Sequence, residues 1–358
     1  MITKLKVSGF KGFEQLELPK ISRVTLIGGK NNVGKTALLE ALFMFFDRLN
    51  PQMILRQSAW RGVSMLPLDA DTMWTPIFYK FNMEKPITVC ATMVDIEEEM
   101  TIRFNPSYVP SIVHAKTVKK GTPAAQILTD QAPTPSYALD LQYQQKNKES
   151  QTAHLIIGPT GLGLQVDYMV SQKRTAVFLG ARIRVNPAED AERFGKLDIV
   201  GRQDKILEFL KILEPELRDL SSITIGETSL IHGDIGMGRK IPVAYMGDGM
   251  SRLLSIILAI ATSPGGLVLI DECENGIHHS KMSKVWEGIG WAAREFDCQV
   301  IGTTHSYECL EAAHEGFAGE LAGDFSYVRI DKIGDRTVAK TFDYESLTVV
   351  IDANMEVR

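Results

Sequence analysis

Residues 29–36 read Gly-Lys-Asn-Asn-Val-Gly-Lys-Thr, and this stretch decides the fold because it matches the phosphate-loop pattern G-x-x-x-x-G-K-[ST]. An apolar strand is predicted just before it, at residues 24–27, and an apolar helix just after it, at residues 37–43. In that context successive backbone N–H groups wrap phosphate oxygens, and the helix N-terminus adds partial positive charge. The stretch therefore predicts a nucleoside triphosphate site.

The residue types of the loop suggest individual roles. Glycines 29 and 34 allow the tight turn, Lys35 reaches the outer phosphates, and the Thr36 hydroxyl holds magnesium. The sequence has no N-K-x-D base reader, so GTPase chemistry fits poorly, and ATP and Mg²⁺ are the expected cofactors. The predicted nucleotide-binding residues of this segment are Gly29, Asn31, Asn32, Val33, Gly34, Lys35, Thr36 and Ala37.

A second apolar strand, residues 267–270, ends in two carboxylates. Asp271 suits the magnesium shell, directly or through water, because hard cations prefer oxygen ligands. Glu272 suits a general base that orients and polarises the attacking water. An Asp-Glu pair at a strand end is by itself a common surface feature, and the phosphate loop upstream is what favours the chemical interpretation.

Two further segments suit a phosphate site. His305 follows a predicted strand at residues 299–303, where its imidazole can lie beside the terminal phosphate. A Gly-x-Gly-x-Ser turn precedes an apolar helix, and such a turn exposes N–H groups and a hydroxyl. A loop histidine and an ordinary helix cap are the alternatives, and the order of all four elements favours the phosphate site. The predicted catalytic residues are Lys35, Glu272 and His305, and the turn adds Gly247, Asp248, Gly249, Ser251 and Arg252 to the nucleotide-binding set.

Composition limits the class of protein. The 358 residues are 44% hydrophobic and 23% charged, which is ordinary for a soluble globular chain. The sequence has no apolar run of about 20 residues and begins with a strand rather than a signal peptide, so a cytoplasmic protein without a membrane partner is expected. The net charge of −5 means that any nucleic-acid contact must be local. The four cysteines form no C-x-x-C pair, which suggests neither disulfides nor a zinc hook.

The remaining chain is predicted in coarser terms. Residues 86–170 read as a β-rich insertion, and residues 185–250 as a helical subdomain that carries the signature turn, with one helix spanning 203–220. From residue 251 onward, strands alternate with helices, which indicates a parallel sheet covered on both faces. Four segments are predicted to be loops or hairpin turns: 69–71, 116–136, 158–163 and 330–335.

The order of these motifs resembles the ABC-type ATPase heads of the SMC, Rad50 and RecF group, and most closely the OLD-like branch, AAA15. The resemblance covers residues 1–47 and 240–310, while the middle matches loosely and no Q-loop glutamine is placed. It implies one α/β ABC-type P-loop ATPase head built from both ends of the chain (1–358), with a mixed or parallel sheet covered by helices, an antiparallel β subdomain and a helical signature subdomain. The motifs that carry it are Leu5–Phe13, Asn31 in the phosphate loop, Tyr245–Gly249 as a shortened signature, Ile270–His278 as Walker B and D-loop, and Thr303–Ser306 as the switch.

The resemblance also implies how two chains assemble. Two copies, alone or within a larger assembly, should face head to tail, so that the 247–252 turn of one completes the site that Lys35 builds in the other. Lys11 would lie near the nucleotide, and Arg252 would help to close the partner site. ATP then joins two half-sites, and hydrolysis separates them.

Many OLD-like proteins carry a TOPRIM nuclease after the ATPase, but only about fifty residues follow His305 here, fewer than such a domain needs. The chain therefore resembles the ATPase halves of two-gene anti-phage systems such as PARIS and AbiL, which implies a switch that controls a separate, TOPRIM-type effector.

A RecF-like DNA-binding repair ATPase is the alternative, with local basic clusters at Lys116–Lys120, Arg182/Arg184 and Arg202/Lys205. A non-hydrolysing ATP-gated scaffold is a third possibility, against which Glu272 argues.

Overall fold

A computed structural model describes residues 1–48, 50, 53–62, 67, 69–109, 136–158, 161–166, 174–181 and 186–353. In chain order the strands are β1 Ile2–Phe10, β2 Phe13–Leu18, β3 Val24–Gly28, β4 Ile87–Met93, β5 Ile96–Tyr108, β6 Ser136–Gln145, β7 Gln151–Gly158, β8 Gly161–Val166, β9 Ala176–Leu179, β10 Asp219–Ile225, β11 Thr228–Asp234, β12 Ile241–Pro242, β13 Leu267–Ile270, β14 Gln299–Thr303, β15 Phe325–Ile333 and β16 Arg336–Asp343. The α-helices are α1 Lys35–Phe46, α2 Met53–Trp60, α3 Ala70–Trp74, α4 Pro187–Ile199, α5 Gln203–Leu210, α6 Asp248–Ala261, α7 His279–Glu295, α8 Tyr307–Gly316 and α9 Tyr344–Asp352.

The central sheet has the strand order β16-β15-β3-β14-β13-β9. All neighbouring strands pair in parallel except β15 and β16, which form an antiparallel hairpin. Every residue of β3, β13 and β14 is buried, as expected for parallel strands with both faces covered. Strand β3, which leads into the phosphate loop, is paired on both sides by strands from the far end of the sequence. The sheet is therefore built from both ends of the chain.

The two faces of the central sheet pack into two separate cores. Along β13, Val268 and Ile270 join the core formed with α4 to α9, whereas Leu267 and Leu269 join the core around α1. This alternation follows from the two-residue period of a strand. Helix α1 is buried between the central sheet and the antiparallel sheet, and ten of its twelve residues are buried.

An antiparallel sheet of order β2-β1-β4-β5-β6-β7-β8 covers the α1 side. Its strands β4 to β8 lie in the segment that was predicted to be β-rich. A smaller antiparallel sheet of order β10-β11-β12 packs with α4 and α5 beside the signature helix α6. The 185–250 segment thus combines two helices with a three-stranded sheet that the sequence analysis did not predict.

Several local predictions are tested by the backbone. The hairpin predicted at 330–335 is confirmed, because Ile333 pairs with Arg336 across the turn. The hairpin at 158–163 is also confirmed by the pairing of Gly158 with Gly161, although residues 159 and 160 lie outside the described part. Most of the 116–136 loop likewise lies outside the described residues.

Two predictions were wrong. The helix predicted over 203–220 ends at Leu210, and β10 begins at Asp219. Pro215 lies between them, and proline removes an N–H donor and clashes with the preceding helical turn. The loop predicted at 69–71 instead begins α3, because the Asp69 carboxylate accepts a hydrogen bond of 2.8 Å from the Thr72 N–H as a helix cap.

Within the described ranges, the chain forms no helix long and apolar enough to cross a membrane.

Candidate functional site

Three parallel strands bring the predicted catalytic segments to one edge of the central sheet. In the ladder β13-β14-β3, Ile270 pairs with Gly302 and Thr303 pairs with Ile27, so the three strands end side by side. The phosphate loop, the Asp271-Glu272 pair and the 303–305 segment follow these ends directly. Ligands of open α/β sheets bind at this carboxyl edge. A cavity of about 870 Å³ lies there, and its walls include Asn31, Asn32, Val33, Gly34, Lys35, Thr36, Ala37, Asp271, Glu272 and His305.

The phosphate loop requires glycine at both of its ends. Gly29 has φ 135° and Gly34 has φ 102°, which are conformations that disfavour other residues. A Cβ at Gly29 would lie 2.3 Å from the Ile330 carbonyl oxygen, and one at Gly34 would lie 2.6 Å from Cζ of Phe13. Gly29 does not line the cavity, so its role is to form the turn beneath the loop.

Lys35 folds back over the loop that precedes it. Its Nζ donates to the carbonyl oxygens of Gly29 at 2.7 Å and Lys30 at 3.0 Å. Partial burial lowers the pKa of Lys35, and the nearby carboxylates of Glu274, Asp271 and Glu272 oppose that shift. The ammonium therefore lies at the cavity wall with a positive charge that three carboxylates favour.

The pair predicted to bind magnesium is in contact. Thr36 Oγ1 lies 3.0 Å from Asp271 Oδ1, and the Thr303 hydroxyl donates to the same carboxylate oxygen at 2.7 Å. Burial raises the pKa of Asp271, while the hydrogen bonds from Thr303 and Thr36 oppose the rise. Adjacent ligands of an octahedral Mg²⁺ lie about 2.9 Å apart, so these two oxygens fit the ion, whose charge would offset the burial of the carboxylate.

Glu272 lines the cavity and adopts an unusual backbone conformation, with φ 51°. Its N–H donates to Thr303 Oγ1 at 2.9 Å, and its Oε2 accepts from Asn275 Nδ2 at 2.8 Å. Left-handed conformations of non-glycine residues cost free energy and cluster at functional sites. The carboxylate is partly exposed to the cavity, where a water molecule could meet it, and it is tied to the D-loop through Asn275.

His305 also lines the cavity, with 49% of its side chain exposed. Its Nδ1 lies 2.9 Å from Oε1 of Glu274, a residue for which the sequence analysis proposed no role. Thr303 was likewise missed as a contributor, although its hydroxyl joins Asp271 to the Glu272 backbone. Its place at the end of the strand that leads to His305 is the signal that could have identified it.

Lys11 lies at the cavity, as the resemblance implied, but its charge is already paired. Its Nζ donates to Glu40 Oε2 at 2.6 Å and to Gln57 Oε1 at 3.1 Å. Burial lowers the pKa of Lys11, and the Glu40 carboxylate counteracts that shift. Arg61, which also lines the cavity, makes two hydrogen bonds of 2.7 and 2.8 Å to the same carboxylate. A lone carboxylate on an otherwise apolar helix is the sequence signal for such a buried pair.

The signature residues lie apart from the phosphate cavity. Gly247 and Gly249 line a cavity of about 210 Å³, and Asp248, Ser251 and Arg252 line another of about 620 Å³. None of the five lines the cavity that contains Lys35. Gly247 has φ 108° and immediately precedes α6. The first turn of α6 packs against Gly276 of the D-loop.

Arg252 is placed differently from the role that the resemblance implied. Its side chain is buried, and an Nη2 hydrogen bond of 3.3 Å reaches the Asp271 carbonyl oxygen of the same chain. Burial also lowers the pKa of this guanidinium. In this conformation Arg252 ties α6 to the end of β13 and does not present its charge at the surface.

Of the three basic clusters, only Arg202/Lys205 lies within the described residues, since Lys116–Lys120 and Arg182/Arg184 fall outside them. Lys205 forms an exposed ion pair with Glu208 at 3.2 Å.

Two family models and two relatives match parts of this chain. Residues 1–161 match a family described as "AAA ATPase domain", and residues 140–311 match one described as "AAA domain, putative AbiEii toxin, Type IV TA system". The chain is 22% identical over 333 residues to a Helicobacter pylori protein named "ATP/GTP phosphatase", covering 87% of each chain. A 47-residue stretch is 38% identical to the uncharacterized protein MJECL10 of Methanocaldococcus jannaschii, covering 13% of this chain and 22% of that one.

Solved structures support the fold. An SMC head bound to the C-terminal winged-helix domain of ScpA aligns over 97% of this chain and 99% of its own, with a TM-score of 0.52 and 12% identity. A Pyrococcus furiosus SMC head with an extended coiled coil, bound to the C-terminal domain of ScpA, aligns over 99% of both chains, with a TM-score of 0.50 and 11% identity. The architecture is therefore that of an ABC-type P-loop ATPase head, as predicted. The two ATPase-domain matches support ATP binding and ATPase function for this head.

Proposed function

We propose that this chain is an ATP-hydrolysing switch in which two copies close head to tail around ATP and Mg²⁺. The observation that carries the proposal is the separation of two half-sites. Lys35, Thr36, Asp271, Glu272 and His305 line one cavity, whereas the signature turn of the same chain lines others. A second copy could therefore supply the turn that the phosphate cavity lacks.

Each residue of the cavity has a chemical task in this proposal. Lys35 would balance the charge of the outer phosphates, and Thr36 and Asp271 would hold Mg²⁺, which would supply positive charge against the phosphates. Glu272 accepts a proton from water as the water oxygen attacks the terminal phosphorus, and the bond to the ADP oxygen breaks. His305 contacts the terminal phosphate. The ATP/GTP phosphatase name of the Helicobacter pylori relative supports hydrolysis as the reaction.

The molar mass in solution tests the switch. With Mg²⁺ and a non-hydrolysable ATP analogue, light scattering should give about the mass of two chains or a multiple of it, and without nucleotide a lower mass. A mass that is unaffected by nucleotide would contradict ATP-dependent closure.

Mixing two inactive variants tests whether the site is shared. Lys35→Ala removes the phosphate half, and Gly247→Arg fills the signature face, where an added Cβ meets no atom of the described residues within 4 Å. In a head-to-tail mixed dimer the altered phosphate half of one chain meets the altered turn of the other, so both defects fall in the same site and the second site stays intact. An equal mixture should recover about a quarter of the wild-type sites, since about half of the dimers are mixed. Two variants that stay inactive when mixed, yet still pair, would argue against a shared site.

The output of the switch is proposed to be control of a separate effector in anti-phage defence, such as a TOPRIM-type nuclease. The resemblance to two-gene defence ATPases supports this, as does the AbiEii toxin named in the description of the family that residues 140–311 match. The related SMC heads were solved with ScpA domains bound, which shows that heads of this fold can hold protein partners.

Co-expression with the product of the neighbouring gene tests whether this chain controls a separate effector. Binding that ATP modulates, and phage resistance that needs Lys35, are the expected results.

A further inference from the structure

The Glu274 carboxylate contacts His305 through two hydrogen bonds. Its Oε1 accepts from the His305 backbone N–H and lies within hydrogen-bond distance of Nδ1, both at 2.9 Å. Only 11% of the Glu274 side chain is exposed, and its Oε2 is buried without a hydrogen-bond partner among the described residues. An ionised carboxylate only accepts hydrogen bonds, so Nδ1 carries the proton in this pair. Nε2 is then the ring nitrogen that remains for a ligand.

The central sheet holds both partners in place. Glu274 follows β13 and His305 follows β14, and these strands are neighbours. The Cys273 N–H also donates to the Thr303 carbonyl oxygen at 2.9 Å, which continues the ladder beyond the strand ends. The pair is therefore oriented by rigid elements before any nucleotide binds, as a preorganised site requires.

Glu272 and Glu274 have different environments although only Cys273 separates them in the sequence. Glu272 lines the cavity and bonds Asn275, whereas Glu274 is nearly enclosed and bonds His305. Among charged neighbours, Glu274 has the largest effect in opposing the fall in the pKa of Lys35. Glu274 thus lies within electrostatic reach of the phosphate site without lining the cavity.

We propose that Glu274 is a positioning residue for hydrolysis, which holds the His305 ring with Nδ1 as donor and so directs Nε2 to the terminal phosphate. The inference rests on the proposed function and adds to it a carboxylate that acts through His305. The two glutamates of the Asp-Glu-Cys-Glu segment then have different roles: Glu272 activates the attacking water, and Glu274 orients the ring of His305.

A double-mutant cycle tests the proposal. Glu274→Ala should lower kcat for ATP by about 10- to 100-fold, because a misplaced catalytic group loses that much, while KM changes less than about threefold. In a His305→Ala background the same substitution should cost less than about twofold, since the partner is gone. An equal loss in both backgrounds, or a change confined to KM, would overturn the proposal.

Conservative and control variants separate positioning from folding. Glu274→Gln keeps an oxygen that accepts both bonds, so kcat should stay within about fivefold of wild type. Glu308→Gln is the matched control, because this exposed carboxylate bonds Ser306 on the same loop at 2.7 Å, and its kcat should be unchanged. A loss in Glu274→Gln as large as that in Glu274→Ala would overturn the role of the hydrogen bonds.

Nitrogen-15 NMR of the histidine rings gives a readout without turnover. The His305 resonances, assigned by their loss in His305→Ala, should show a protonated Nδ1 in wild type and a different tautomer balance in Glu274→Ala. An unchanged ring in Glu274→Ala would overturn the inference. A wild-type protein that binds no ATP would instead refute the proposed function, so the two failures are distinguishable.

Discussion

The phosphate-loop half and the signature half of this chain differ in how completely one chain builds them. In the first, the hydroxyls of Thr36 and Thr303 and the carboxylate of Asp271 are joined by hydrogen bonds at the end of three buried strands. In the second, Gly247 and Asp248 are exposed, and a Cβ at Gly247 would meet no atom within 4 Å in the part of the chain that the structure describes. The difference indicates that one half is preformed and that the other leaves its face exposed.

The largest effect is expected from Lys35→Ala in the preformed half. Loss of the charge that balances the outer phosphates should lower kcat/KM for ATP by about 1,000-fold or more. Phosphate release at several ATP concentrations measures it. Lys30→Ala is the control, because this neighbouring lysine is exposed and does not line the cavity, and it should stay within about twofold of wild type. Normal turnover in Lys35→Ala would contradict the assignment of the cavity.

Glu272→Gln should lower kcat by about 100- to 1,000-fold while ATP binding persists, because the amide cannot accept the proton of water. The variant should accumulate as an ATP-bound pair of chains, visible as a higher mass with ATP and Mg²⁺. If it turns over ATP at the normal rate, Glu272 is not the base.

Asp190→Asn probes the support beneath the signature helix rather than the chemistry. Burial raises the pKa of Asp190 to about 6, although a hydrogen bond of 2.6 Å from Ser255 favours the charged form. Because the folded-state pKa is raised, the contribution of Asp190 to the free energy of unfolding is most favourable below about pH 4, where the group is protonated in the folded and the unfolded state. This contribution is lost as the pH rises through about 6. The asparagine should remove this dependence and raise the free energy of unfolding at pH 7.5 by up to about 3 kcal/mol.

Urea unfolding at pH 4.5 and pH 7.5 measures that difference. Glu189→Gln is the matched control, since Glu189 lies next to Asp190 in α4 but is exposed. The free energy of unfolding of wild type should fall relative to that of Asp190→Asn when the pH is raised from 4.5 to 7.5. If the difference between the two proteins stays the same, burial does not penalise the charged form of Asp190.

The smallest effect is expected from Gly247→Ala, which tests the open half. With φ 108° the alanine would be strained by about 1–2 kcal/mol, so the turn should shift and hydrolysis should fall by about tenfold with ATP affinity unchanged. Gly34→Ala is its counterpart in the preformed half, where the Cβ would contact the Phe13 ring and ATP affinity itself should fall. Equal effects of the two variants on ATP binding would remove the distinction between the halves.

Local patterns brought together most of the residues that line the cavity at the carboxyl edge of the central sheet. The phosphate loop and the strand before Asp271 depend on sequence neighbours, so glycine spacing and apolar runs identify them, and parallel pairing then brings their ends together. Contacts between distant residues were not predictable in the same way. Glu40 bonds Arg61 and Lys11, and Glu274 bonds His305, through tertiary packing that has no local pattern. The signature subdomain was harder still, because short strands such as β12 have little periodicity of their own.

The pairing of β3 has a consequence for biogenesis. Its two neighbours, β14 and β15, begin at Gln299 and Phe325, so the strand that carries the phosphate loop stays unpaired in the nascent chain for some 270 residues of synthesis. At about 5–20 residues per second this is a delay of tens of seconds, during which α1 exposes apolar surface on or near the ribosome. The strand that carries the phosphate loop therefore enters the sheet only after translation of these late strands, and a premature stop before residue 299 should yield a product that chaperones and proteases remove.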